Sequence, residues 1–168
     1  MPEFLKSYVR GVEKVSRLVG RAAMYLIFVL MAILLYSSIS KAFLLPAHWT
    51  LEMAQFTMVA YYILGGPYSM QQDEHVRMDL VYANWKPRTK AIVDCFTILF
   101  LIFYIGVLLY GGISSTTYAL EYGEKSYSAW APYMAPIKIV MCLGVLLMLF
   151  QATAVMLRDF ATARGIKI

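Results

Sequence analysis

Apolar side chains run almost unbroken through four blocks of the chain, at about 22–43, 51–70, 91–112 and 136–157, and most charged residues fall between them. Each block holds about 20 residues, the length that carries a helix across a hydrocarbon core of about 30 Å. In lipid no water satisfies a free backbone N–H or C=O, so a spanning segment must be a helix or a strand of a closed barrel. The blocks lack the alternation of apolar and polar residues that a barrel strand needs. The pattern predicts an all-α integral membrane protein with four transmembrane helices, a single membrane domain over residues 1–168.

Ahead of the first block the pattern changes. Leu5, Tyr8, Val12, Val15 and Val19 recur at three- and four-residue spacing, while Lys6, Arg10, Lys14, Arg17 and Arg21 fall mostly elsewhere. This predicts an amphipathic helix over 3–21 on the cytoplasmic surface, where each cation near anionic lipid contributes about 1 kcal/mol. The alternative is an orientation signal without a fixed helix. The basic segment is long, the apolar core runs past 15 residues and "SSISKAF" is a poor cleavage site, so the block is expected to stay attached.

Smaller marks refine the layout. Trp49, Trp85 and Trp130 lie near block edges, where amphipathic rings settle at the bilayer interface. Gly65-Gly66-Pro67 is expected to bend or end the second helix, because proline removes a backbone donor and crowds the preceding turn. Pro87 suits the first turn of the third helix. No Gly-x-x-x-Gly pair occurs, so the best-known close-packing signature of a helix dimer is missing.

Composition agrees: 61% hydrophobic residues place the chain outside the usual soluble range. The net charge of +5 is scattered between apolar blocks rather than gathered on one face, which argues against nucleic-acid binding. Twelve of the 15 Lys and Arg residues lie in the N-terminal segment, the middle connection and the C-terminal tail; only Lys41, Lys125 and Lys138 lie on the opposite side. The excess marks the cytoplasmic side, so both termini and the middle connection are expected there. Cys95 and Cys142 should differ in depth by about 15 Å, too far for a disulfide.

The stretch 70–85 gathers Asp73, Glu74, His75, Arg77 and Asp79. A single histidine among carboxylates lacks the paired Cys and His spacing of a metal site, so no metal or other cofactor is expected. The segment reads either as a solvated loop or as a partner-facing connection, with His75 and Asp79 on one face if it is helical. His48 and His75, the only histidines, lie on opposite sides, and the chain has neither a phosphate-binding glycine loop nor a nucleophile elbow. No enzyme is expected. Transport by this chain alone is not favoured either: Glu52, Gln55, Asp94 and Lys138 sit near block ends, and the central turns carry no ion ladder. Glu52 itself reads as a first-turn carboxylate favoured by the helix dipole and by Lys138 or Lys41, or as a contact to a partner.

Three features together resemble the small membrane subunit of tripartite ATP-independent periplasmic (TRAP) transporters. They are the basic amphipathic start, Trp49-Thr50-Leu51-Glu52 at the outer end of the second helix, and Glu74-His75-Val76-Arg77-Met78-Asp79 after it. The stretch 128–151 is similar to the family's last hairpin, with Trp130, Pro132, Pro136, Lys138, Gly144 and Gln151 in place. Many members carry two adjacent acidic residues after the tryptophan and a basic residue one turn later; here Leu51-Glu52 and Gln55 stand instead. The resemblance implies a non-catalytic subunit in a bacterial inner membrane, within a sodium-coupled system for organic acids. Its partners would be a large many-helix permease subunit, a periplasmic solute-binding protein and membrane lipids. Trp49, Glu52, Gln55, Tyr61, Tyr62, His75 and Asp79 are the candidate partner-interface residues. Arg10, Lys14, Arg17, Arg21, Trp85 and Trp130 are the candidate membrane anchors. A small stand-alone channel or exporter and a membrane assembly protein are the competing expectations.

Overall fold

The computed structural model describes residues 3–43, 45, 47–72 and 87–163. These form four helices: α1 (Glu3–Phe43), α2 (Trp49–Gln71), α3 (Pro87–Glu121) and α4 (Ala135–Ala163). No strand occurs among the described residues; one antiparallel bridge, Lys125 to Tyr133, closes the hairpin between α3 and α4. Pro87 opens α3, where its missing N–H removes a donor that has no intrahelical partner anyway. Three helices are long and apolar enough to cross a membrane, over Leu5–Phe43, Phe96–Glu121 and Ala135–Ala161. α2, expected as a span, is not among them; it carries Glu52, Gln55, Gly65, Gly66 and Pro67.

The segments expected as a surface helix over 3–21 and a span over 22–43 form one helix of 41 residues. At about 1.5 Å per residue it is roughly 60 Å long, twice the hydrocarbon thickness. The buried side chains explain its continuity. Val9, Ser16, Gly20, Ala23 and Ser40 lie on one stripe, linked by half-buried Leu26, Leu30, Ile33 and Ser37. That stripe faces the bundle without interruption, so no break falls at residue 21. The cations Arg10, Lys14, Arg17 and Arg21 stay exposed.

The packing order follows the chain. α1 pairs with α2, α3 pairs with α4, α2 and α4 join the two pairs, and α1 also touches α4. The inner core gathers Met70 of α2, Ile98 and Ile105 of α3 and Ala152 of α4, with Leu101, Val145 and Met148 packed against them.

α2 does not end at Pro67; it runs on to Gln71 with Pro67 buried inside it. Having no N–H, Pro67 leaves the Ile63 carbonyl four residues earlier without its helical donor. That carbonyl lies against Gly144 of α4, where a Cβ would come within 3.2 Å of the Ile63 oxygen and 2.2 Å of its Cγ2. The glycine lets two backbones meet where proline has opened one of them.

Candidate functional site

Two polar clusters, one at each end of the bundle, hold the helices together. At the end that the Lys and Arg distribution predicts to be the outer one, α3 terminates on Gly123, whose φ of +59° is a left-handed conformation that glycine adopts without strain. The Glu124 N–H donates to the Ala119 carbonyl at 3.1 Å, the six-to-one bond of a Schellman turn. The chain then folds back, with Ser126 N–H donating to the Pro132 carbonyl at 3.0 Å and Met134 N–H to that of Glu124 at 2.9 Å. Lys138, in the first turn of α4, forms an ion pair with Glu124. Its Nζ also lies 3.5 Å from the Ser115 carbonyl, and the Lys125 ammonium stands 4.8 Å from the Tyr133 ring centre.

This hairpin covers Glu52. The Glu52 residue is only 5% exposed, and Ser126 Oγ donates to its Oε1 at 3.4 Å. The other carboxylate oxygen has no hydrogen-bond partner among the described residues. A first-turn position lets the N-terminal dipole of α2 favour the charge. The expected pairing of Glu52 with Lys138 is replaced by Glu124, because the folded hairpin brings Glu124 onto the lysine. Sequence reasoning missed Glu124, since its approach depends on a turn of the outer connection. Nearby, Thr50 Oγ1 donates to the Ala47 carbonyl at 2.8 Å and meets Ser37 Oγ of α1 at 3.0 Å. Trp49 packs tilted on Tyr36, with ring centres 5.6 Å apart.

At the inner end α1 is tied to α4. Ser16 Oγ donates to Gln151 Oε1 at 2.9 Å, both side chains buried, and Tyr8 shares a hydrogen bond with Thr153 at 2.9 Å. These bonds lie eight residues apart on α1 and two apart on α4, so α1 crosses α4 obliquely here. Arg158 lies 3.9 Å from Glu13. The Gln71 amide is best oriented with its oxygen on Arg17, 3.2 Å away, and its nitrogen on the Glu13 carbonyl at 3.3 Å. The signal that points to this cluster is a glutamine inside the apolar fourth block and a serine on the apolar stripe of α1.

The described candidate partner residues do not form one patch. Trp49 and Glu52 belong to the outer cluster, Glu52 turned inward beneath the hairpin. Gln55 and Tyr62 lie with Leu51 and Met58 on an exposed stripe of α2, and Tyr62 is 63% exposed. Half-buried Tyr61 meets the Tyr62 ring edge-on at 5.2 Å. His75, Asp79 and Trp85 lie outside the described residues, as does the side chain of Cys95. Trp130 is exposed in the hairpin, and Cys142 is a free thiol 3.2 Å from Thr116 Oγ1.

Charge is confined to the ends. No Asp, Glu, Lys or Arg lies between Arg21 and Lys41 on α1, after Glu52 on α2, between Asp94 and Glu121 on α3, or between Lys138 and Arg158 on α4. Among the described residues no three His, Cys, Asp or Glu side chains are grouped to hold a metal ion. The arrangement clasps helices at both ends around a packed apolar middle.

Comparison with curated proteins and with solved structures gave no match for this chain. A family model described as "Tripartite ATP-independent periplasmic transporters, DctQ component" matches residues 30–162, from within α1 almost to the end of α4. A match over most of its length identifies the chain as a member of this family, the small membrane component of TRAP transporters.

Proposed function

We propose that this subunit is a non-catalytic brace that packs against the large permease subunit and steadies its scaffold. The system is one in which a periplasmic solute-binding protein delivers an organic acid for sodium-coupled uptake across the bacterial inner membrane. Both termini of the brace lie in the cytoplasm. The observation that carries this reading is the exposed stripe of α2: Leu51, Gln55, Met58 and Tyr62. Facing hydrocarbon, the Gln55 amide and the Tyr62 hydroxyl would go without hydrogen-bond partners, which costs free energy. A neighbouring protein helix supplies partners where acyl chains cannot, and polar side chains of this kind join helices in membranes.

The inward-turned Glu52 acts in this reading through the hairpin that it holds. With Tyr127 and Trp130 exposed on it, the hairpin is a platform on the side where the binding protein arrives. His75 to Asp79 is assigned the inner contact. Sodium coupling and the organic-acid class rest on the family.

Co-purification tests the reading. Tagged wild-type chain should retain the large permease subunit through detergent extraction. The double variant Gln55→Leu/Tyr62→Leu should lose most of it while keeping its own helix content by circular dichroism. Equal recovery with both chains would remove the α2 stripe from the interface.

A further inference from the structure

A cavity of about 760 Å³ opens where the amphipathic part of α1 passes the inner ends of α2 and α4. Lys6, Arg10, Arg17 and Arg158 line it, against the carboxylates of Glu3 and Glu13. Glu13 is engaged by Arg158. Among the described residues no carboxylate lies within ion-pair distance of Lys6, Arg10 or Arg17; Arg17 meets the Gln71 amide, and Arg10 Nε donates to the Lys6 carbonyl at 3.3 Å. Three cations outside any ion pair among the described residues thus share one face of α1 and one cavity, where the four basic lining residues outnumber Glu3 and Glu13.

The position of the cavity selects its occupant. Gln71 is the last residue of α2, Arg158 lies near the end of α4, and Arg17 closely precedes the apolar part of α1. Three apolar stretches end together here, at the depth of lipid headgroups. About one turn further along α1 and α2, a second cavity of about 410 Å³ lies between these helices, lined by Gly20, Met24, Tyr62, Gly65 and Tyr68. A cationic pocket opening onto a groove between two helices fits a phosphate joined to an acyl chain.

We propose that this pair of cavities binds one molecule of an acidic phospholipid. Its phosphodiester lies among Lys6, Arg10 and Arg17, and one acyl chain lies in the groove between α1 and α2. The site is discrete, unlike the diffuse attraction of a basic helix to a charged surface, and it holds whether or not the α2 stripe meets a partner. Lys14 and Arg21 do not line either cavity, so they serve as internal controls of equal charge.

The test titrates the full chain, in uncharged detergent, with long-chain phosphatidylglycerol, with phosphatidylcholine and with inorganic phosphate. Bound lipid is counted by native mass spectrometry and the melting temperature is followed. Phosphatidylglycerol should saturate at one molecule per chain and raise the melting temperature; the other two probes should do neither. Lys6→Gln/Arg10→Gln should weaken binding on the order of tenfold or more, and Lys14→Gln/Arg21→Gln should leave it within about twofold. Gly65→Leu should also weaken it without unfolding the chain, because a Cβ at Gly65 meets nothing within 4 Å and the longer side chain fills the groove. Equal loss in the control pair, a shift reproduced by inorganic phosphate, binding without saturation, or unchanged binding in Gly65→Leu would each overturn the proposal.

Discussion

Gly144 shows how much rests on a single missing side chain. A Cβ there would overlap Ile63 Cγ2 and press on the Ile63 backbone, so α2 and α4 would have to separate. Gly144→Ala should therefore destabilise the chain by about 1–3 kcal/mol, the usual cost of overpacking a tight contact. Gly111→Ala is the control, since its Cβ would meet nothing within 4 Å, and it should be neutral or stabilising by up to about 1 kcal/mol. Thermal unfolding in detergent compares the two; equal melting temperatures would deny the close approach. Residue-scale partners of this kind are the least legible in sequence. Glu52 stands out as a carboxylate in an apolar block, yet nothing in its neighbours reveals that Ser126, 74 positions away, donates to it. Lys138 likewise takes Glu124, because the hairpin places that carboxylate nearer than any helix-bound one.

At the scale of elements, the four apolar blocks are plain in the sequence and each falls within a helix, three of which are long and apolar enough to cross a membrane. Helix ends are less plain, since hydrogen bonds rather than hydropathy set them. α3 continues past its apolar block to Glu121 and stops where Gly123 can turn left-handed. Similarly, α2 passes through Pro67, which lies buried against the bundle, a tertiary circumstance that local propensity does not contain. The largest difference lies in α1. A hydropathy change after Arg21 suggests two elements, but the buried stripe crosses it in step with the helical repeat. Spin labels at exposed Ser7 and Ser38 give a direct measure of this continuity. One helix places the two backbones about 46 Å apart, whereas a right-angled turn at residue 21 brings them to roughly 33 Å. Electron–electron distance measurements should return the longer value, and a distribution centred on the shorter one would split α1 in two.

The whole molecule is a set of struts fastened at two levels, and that arrangement bears on whether it conducts. The outer clasp joins Thr50 to Ser37 and Ser126 to Glu52; the inner one joins Ser16 to Gln151 and Tyr8 to Thr153. Between them α2 and α4 are in contact at Gly144, and the inner core closes on Met70, Ile105 and Ala152. A sodium ion crossing such a middle would leave water without carboxylates or a ring of carbonyls to replace its hydration shell. An organic anion would meet the same barrier, with no Lys or Arg among the described residues between the two clasps to receive it. Sealed vesicles carrying this chain alone should therefore hold a sodium gradient and a trapped carboxylate as well as empty vesicles do. Uptake should arise only when the large subunit and the loaded binding protein are supplied together. Sodium-dependent flux through the isolated chain would mean that the helices open a path between the two clasps, and the bracing role would then have to be abandoned.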